Sequence, residues 1–433
     1  MDGRLTSKMK KANTLLSESA IYLVSNIINA AIPFMLLPVL TRHLLPSEYG
    51  ELAMFQTLMS ALGAFVGLNV SGAVGRKYYD NPDSVRGMRS YIGSCLQIVV
   101  FSAFCILILV AFFQGIISEW LSIKPSWILL SVYVAATTVI INIRLGQWQV
   151  HQHARSYGTF QIFQSAINAT ISVILVVTLS GGADGRVAAI FLTSSLFAII
   201  SLHMLHKDKL LSFFEWQPND IREALEFGVP IVPHIAGAFL LLSVDRFFIN
   251  AELGLAAVGI YMLAAQFAMS MSIVFDAVNK AYIPWLFSRL QRDQIAEKIR
   301  IVRYTYAWFI LISIVVGFAF IFGPWVTVQI AGASYAEAGE IVGWLFLGQG
   351  FNGMYFMVTN YIFFSKKTGI LSIVTLITGL LNVILLIAFI KIFTIKGAAI
   401  AFSLSMGIRF LLTWWVAQKR HPMPWFEFNF KNP

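Results

Sequence analysis

The sequence predicts an all-α integral membrane protein, with twelve transmembrane helices in two six-helix bundles related by a pseudo-twofold axis along the membrane normal. Three observations predict it: apolar stretches in series, a basic charge that alternates between loops, and a likeness between the two halves. A span needs about 20 apolar residues, because roughly 30 Å of hydrocarbon is crossed at ~1.5 Å per helical residue. Such stretches lie at about 18–41, 48–70, 91–117, 127–148, 157–180, 186–206, 225–248, 256–279, 303–325, 340–364, 369–391 and 397–418. Of 433 residues, 58% are hydrophobic and 12% are charged. A soluble domain carries about 25% charged residues, so twelve apolar stretches in series exclude that class.

The charges orient the spans. Lys and Arg favour cytoplasmic loops. Counting alternate connections from the N-terminus, 24 of the 31 Lys and Arg fall on one side and six on the other, with Arg409 inside span 12. The richest loop, 280–303, holds Lys280, Arg289, Arg292, Lys298, Arg300 and Arg303. Both termini are therefore expected in the cytoplasm. The net charge of +10 is mostly an orientation signal. Nucleic-acid binding needs a clustered basic patch with interleaved aromatics, and no such patch is present. The first span is too long for a signal-peptide core. Cys95 and Cys105 share one span about 15 Å apart, too far to bridge.

The halves share an order of features. Span 1 contains Pro33 and Pro38, ends in Thr41-Arg42, and is followed by Tyr49-Gly50 at the start of span 2. Span 7 contains Pro230 and Pro233, ends in Asp245-Arg246, and is followed by Gly259-Ile260-Tyr261 at span 8. Each reads as a broken helix, an outer-end Arg and a Gly at the next helix start. Tyr157-Gly158 and Thr368-Gly369 open spans 5 and 11 about 211 residues apart, close to the separation of about 204–209 between the features above. This predicts a bundle at 1–206, a cytoplasmic linker at 207–224 and a bundle at 225–433. Six spans per half makes the repeats parallel. Such a pair fits alternating access better than a channel, which needs a filter segment or pore ring.

The string Leu37-Pro38-Val39-Leu40-Thr41-Arg42-His43-Leu44-Leu45-Pro46-Ser47-Glu48-Tyr49-Gly50 resembles the start of bacterial polysaccharide flippases. Phe227-Gly228-Val229-Pro230, then Asp245-Arg246-Phe247 and Gly259-Ile260-Tyr261, is similar to that family's seventh and eighth spans. The family is the Wzx-type O-antigen flippases, in the polysaccharide-transport branch of the multidrug/oligosaccharidyl-lipid/polysaccharide (MOP) exporter superfamily. The resemblance implies a MATE-like fold in the bacterial inner membrane. It implies carriage of an undecaprenyl-diphosphate-linked oligosaccharide, such as an O-antigen repeat unit, by alternating access through a cationic cavity. It also implies coupling to an ion gradient, with membrane lipids and polysaccharide assembly proteins as partners and no cofactor.

Such a cargo needs cations for its phosphates and polar surfaces for its sugars. Arg suits phosphate because its planar fork binds two oxygens at once. Arg409 is the first candidate: it lies mid-span, where a charge costs about 2.5–3.5 kcal/mol on insertion scales. Ser405 and Thr413 share its face, and the alternative for it is an ion pair with a distant carboxylate. Arg42 and Arg246 occupy matched outer positions as gate candidates, or else snorkel to the interface. Asn26 and Asn29 share a face of span 1, lining a cavity or bonding a neighbouring helix. His234 and Asp245 are the ion-coupling candidates. Eleven helical steps separate them, which would set both on one face, while Asp245 has Arg246 as an alternative partner. Gln349, Asn352, Asn360 and Asn382 are weaker candidates.

Enzyme and metal motifs are absent: there is no HExxH, GxSxG, P-loop or Asp-rich diphosphate motif. His151 and His153 have no carboxylates near them in sequence. A glycan polymerase or ligase would need a large outer loop, and none exceeds about 15 residues. A multidrug exporter would favour acidic cavity residues, and Asp245 is the one acid well inside a span.

Overall fold

The computed structural model describes residues 2–80, 85–366 and 369–426, less the side chains of 2–20, 23, 85 and 86. Lys367 and Lys431 of the basic count lie outside the described residues, as do the side chains of Arg4, Lys8, Lys10, Lys11 and Arg86. Secondary structure among the described residues is helical, without strands. The chain forms two compact units, 1–236 and 237–433.

The first unit opens with α1 (Asp2–His43), which runs unbroken through Pro33 and Pro38. This corrects the reading of span 1 as a broken helix. A proline removes one ladder bond, and here the helix continues past both losses, packed closely on a later helix. α2 (Pro46–Gly63) starts with proline at its first position, and Glu48 Oε2 accepts the Leu45 N–H at 2.9 Å. The expected second span does not run on to residue 70. The chain breaks at Gly67, Leu68 and Asn69, all at positive φ, and resumes as α3 (Val70–Asp80). Then follow α4 (Val85–Phe112), α5 (Gln114–Leu121), α6 (Pro125–Val150) and α7 (Ala154–Val173), which ends in a π turn at Ile174–Thr178. After α8 (Gly182–Lys207) come α9 (Pro218–Gly228), a 3₁₀ turn at Val229–Ile231, and α10 (Val232–Leu242), which carries the unit boundary.

Glycines set the close approaches. A Cβ on Gly158 of α7 would stand 2.0 Å from Ser25 Oγ, so α1 and α7 meet where only a hydrogen fits. A Cβ on Gly228 would stand 2.0 Å from the Leu68 carbonyl, which explains the glycine of the Phe227-Gly228-Val229-Pro230 string as a packing requirement against the broken second span. The helix α9 is fastened to α3 and α4: Lys77 Nζ lies 2.5 Å from Glu223 Oε2, and Ser90 Oγ donates to Asp220 Oδ2 at 2.7 Å.

The second unit comprises the end of α10, α11 (Asp245–Leu290), α12 (Ile295–Ala331), α13 (Ala336–Phe364) and α14 (Gly369–Arg420). α14 holds two spans, turning at Thr394 (φ 52°), and the turn at Gly254 (φ 80°) in α11 separates the end of span 7 from span 8. The buried helix is α13. Cβ atoms on Gly343, Gly348 and Gly353 would press to about 2.4–2.5 Å on Phe320, Phe402 and Phe275, so small residues admit aromatic rings from three neighbouring helices. Outward, α12 exposes Ile310, Ile314, Phe318 and Ile321 along one face, as a lipid-facing helix does. Nine helical stretches among the described residues are long and apolar enough to cross a membrane. Resolving the two turns above and adding the α2–α3 segment matches the twelve expected spans.

Candidate functional site

The first unit holds a polar cavity of about 300 Å³ between α1, α2, α6, α7 and α8. Its polar lining includes Asn29, Gln161, Gln164, Ser165, Asn168 and Arg186. Four of these lie on α7 at steps of three and four, a polar stripe on one helical face. Arg186 is the cavity's one cation, and no lining residue is acidic. Its Nη1 donates to Asn168 Oδ1 at 2.7 Å and to Ser172 Oγ at 2.6 Å. Ser165 Oγ in turn donates to Asn29 Oδ1. Local packing aims this arginine. Cβ atoms on Gly181 and Gly185 would stand 2.7 and 2.8 Å from the Leu175 carbonyl, so the π turn presses directly on the first turn of α8. That contact brings Arg186 over the end of α7. The sequence reading counted Arg186 among outer-loop charges because it falls at the edge of the sixth apolar stretch. The stripe Gln161, Ser165, Asn168 and Ser172 was the signal that its helix faces a polar neighbour.

The second unit carries Arg409 on α14. Its guanidinium carbon lies 3.9 Å from the centre of the Tyr355 ring, a cation–π contact. Nη1 donates to Asn352 Oδ1 at 3.4 Å, a long bond, and Nε is buried without an acceptor. Asn352 also reaches Ser272 Oγ at 3.3 Å and Gln349 Oε1 at 3.4 Å. Among the described residues Arg409 has no carboxylate partner, so the ion-pair alternative finds no support there. Its expected neighbours look elsewhere: Ser405 donates to Asn382 Oδ1 at 3.1 Å and Thr413 to the Arg409 carbonyl at 2.7 Å. Deeper in α13, Asn360 donates to Asn279 Oδ1 at 2.8 Å.

Asp245 and Arg246 are buried together at the start of α11. Arg246 Nη1 donates to Asp245 Oδ1 at 3.0 Å and to the Leu242 carbonyl at 2.5 Å. Tyr261 OH donates to Asp245 Oδ2 at 2.5 Å. The space beside them is about 20 Å³, room for one water. Each charge is compensated, so this cluster reads as a clasp across the Gly254 turn. His234 sits exposed on α10, and a turn at Ser243–Val244 interrupts the regular helix before Asp245, which is buried with Arg246. Arg42 is exposed at the end of α1, and Asn26 is partly buried but outside the cavity lining that includes Asn29. The described residues contain no group of His, Cys, Asp and Glu that could hold a metal.

The resulting chemistry is consistent between units. Each holds a half-buried guanidinium, without a carboxylate partner among the described residues, among amides, hydroxyls or an aromatic ring. Such a group attracts anions and offers bidentate donors to phosphate or carboxylate oxygens.

Comparison with known proteins accords with this picture. The model of a family described as polysaccharide biosynthesis protein matches residues 15–291, more than half of the chain. A protein of the Lsg locus of Haemophilus influenzae is 28% identical over 402 residues, covering 90% of this chain and 95% of that protein. Among solved structures, the lipid II flippase MurJ in an inward closed conformation superposes with a TM-score of 0.71 at 15% identity, over 94% of this chain and 87% of that one. An inward-facing multidrug resistance MATE transporter of the MOP superfamily gives 0.66 at 15% identity, over 93% and 94%. The fold is thus the MATE-like fold.

Proposed function

We propose, for a chain that belongs to the polysaccharide biosynthesis protein family, that it is a MOP-type flippase for an undecaprenyl-diphosphate-linked oligosaccharide of the O-antigen class. One observation carries this reading: each unit holds a half-buried arginine with no carboxylate to neutralise it among the described residues, Arg186 in the first and Arg409 in the second. A carrier of cationic drugs needs the opposite charge. A diphosphate needs strong, planar donors that exchange easily, and Arg409, held by one long bond and a ring face, can turn to phosphate at little cost. The amide-rich wall around Arg186 supplies donors and acceptors to sugar hydroxyls. Its volume of about 300 Å³ admits a sugar or a phosphate rather than a whole repeat unit. The likeness in fold to a lipid II flippase supports a lipid-linked cargo.

In this reading the protein works in the inner membrane by alternating access, coupled to an ion gradient, with both termini cytoplasmic. External thiol labelling should then reach a cysteine placed at Gly182 and spare one at Lys209. The reverse pattern would invert the orientation. The function is tested by deleting the gene and measuring lipid-linked repeat units on the cytoplasmic side together with surface polysaccharide. Accumulation of the first and loss of the second are expected. Arg409→Ala, expressed at the normal level, should fail to restore the surface glycan, and Arg409→Lys should restore it in part. Full rescue by Arg409→Ala would take Arg409 out of the cargo path.

A further inference from the structure

At the end of the second unit that bears the most basic loop, α11, α12 and α13 line a separate, open cavity of about 300 Å³. Its walls are aromatic and cationic: Tyr282, Trp285, Tyr304, Trp308, Arg289 and Arg300. The rings form a continuous panel. Tyr282 and Trp285 stack with centres 5.4 Å apart, and Trp285 and Tyr304 lie 5.7 Å apart. An aromatic belt at the membrane interface explains single rings facing lipid. It does not explain four rings lining one cavity.

The two arginines play different parts. Arg289 is fixed: its guanidinium lies 4.3 Å from the Trp285 ring centre and its Nε is 3.0 Å from Glu297 Oε2. Arg300 is exposed at the rim and pairs with no carboxylate among the described residues. A second unmet group points the same way. The Trp308 side chain lines the same cavity, and its indole N–H is buried without an acceptor, which is costly. An oxygen-rich ligand would satisfy it. Aromatic faces favour the C–H faces of sugars, and an unpaired guanidinium favours phosphate.

We infer that this cavity is a docking site for the phosphosugar headgroup of a membrane lipid, at the loop-rich side where a cargo would be taken up. The inference rests on the flippase reading and deepens it: the headgroup is held here before it meets Arg409 or Arg186. Arg300 takes the phosphate, the Trp285 panel takes the first sugar, and Trp308 donates to a ring or hydroxyl oxygen.

The test uses the full chain in phosphatidylcholine nanodiscs, with binding followed by native mass spectrometry. The probes are undecaprenyl diphosphate bearing one sugar, the same lipid without sugar, and phosphatidylglycerol. Arg300→Gln should weaken both diphosphate lipids about tenfold, the loss of a charge-assisted hydrogen bond. Trp308→Phe, which keeps the ring and removes the N–H, should weaken only the sugar-bearing lipid, by roughly threefold to tenfold. Trp285→Leu should abolish the preference for the sugar-bearing lipid. Size-exclusion profiles and melting temperatures matched to the unsubstituted protein keep misfolding apart, and Trp308→Phe is the conservative variant should Trp285→Leu not fold. Unchanged binding in Arg300→Gln and Trp308→Phe overturns this site and leaves the flippase reading standing. No binding of either diphosphate lipid to the unsubstituted protein overturns both. Equal binding of phosphatidylglycerol, with the same dependence on Arg300, reassigns the cavity to bulk anionic lipid and overturns the glycan assignment.

Discussion

Arg186 and Arg409 set the same problem in the two units, and the surroundings meet it differently. Arg186 is held by two neutral oxygens at 2.6–2.7 Å and fronts an open cavity. Arg409 rests on the Tyr355 ring with one amide contact at 3.4 Å. The first is preorganised, its fork fixed before any ligand arrives. The second is loosely held and free to swing. The fully buried Arg246 shows what full neutralisation looks like, with Asp245 and the Leu242 carbonyl both accepting from its Nη1. The contrast teaches that burial of an arginine is not itself a functional sign. The partners decide. A carboxylate makes a clasp, whereas neutral oxygens or a ring leave the charge available.

The comparison breaks most sharply on the residues that hold each arginine. Asn168→Leu removes a short bond to a guanidinium and should lower transport roughly tenfold, since such bonds contribute about 1.5–3 kcal/mol. Asn352→Leu removes a long one and should cost about twofold. Transport is read as surface glycan restored in the deletion strain, normalised to protein level. Equal losses would mean that the two arginines are held alike and that the distances mislead.

How far this arrangement could be read from sequence differs by region for physical reasons. Spans are legible because each must be apolar over about 20 residues. Arg409 was legible because a charge in the middle of such a stretch has no cheap place to go. Arg186 was not, because one helical turn separates a loop residue from a cavity residue at the edge of an apolar run. Spans 1 and 7 looked alike in their prolines, yet α1 stays continuous while the chain at Val229–Ile231 tightens into a 3₁₀ turn. Proline identity does not decide between these outcomes; the neighbours that pack on the helix do. The break after α2 was hidden for a similar reason. Leu68 and Asn69 adopt positive φ because Gly67 turns the chain and Gly228 packs on the Leu68 carbonyl, a contact about 160 residues away in sequence. The pairing of Asp245 with Arg246 was readable as neighbours in sequence, but the third member, Tyr261, needed the turn at Gly254.

A second comparison sharpens the account of how each unit is packed. Gly185 in the first unit and Gly237 in the second are both buried helical glycines. A Cβ at Gly185 would stand 2.8 Å from the Leu175 carbonyl oxygen, whereas at Gly237 the nearest atom is 3.6 Å away. Alanine improves helix propensity equally at both, so the difference isolates the clash. Gly185→Ala should destabilise by about 1–3 kcal/mol and displace Arg186, while Gly237→Ala should be neutral or slightly stabilising. Thermal unfolding in detergent measures the first effect and the transport assay the second. Equal melting temperatures would mean that the π turn yields freely and does not aim Arg186.

The smallest expected effect lies at the loop ends, where each unit sets a histidine beside aromatic rings, His151 at the surface and His421 half-buried. His151 lies 4.5 Å from the Tyr78 ring centre, and His421 stacks on Tyr361 at 6.2 Å. Burial is the main cause lowering both side chains below the ordinary histidine range. For His151 the neighbouring His153 and Arg144 add to the shift and Asp208 opposes it; for His421 Lys298 adds to it and Asp293 opposes it. With the folded value lowered, the unfolded chain binds more protons as the pH falls, so stability is complete above the unfolded value near 6.5 and declines below it. Melting temperature should therefore drop as the pH is taken from about 7.5 to about 5.5. His421→Gln should flatten the part of that drop due to the second unit, and His151→Gln the part due to the first. Each histidine has one opposing carboxylate, but two neighbours lower His151 against one at His421, so the flattening should be larger for His151→Gln. A larger effect at His421 would show that its aromatic stack, rather than the surrounding charge, governs its protonation.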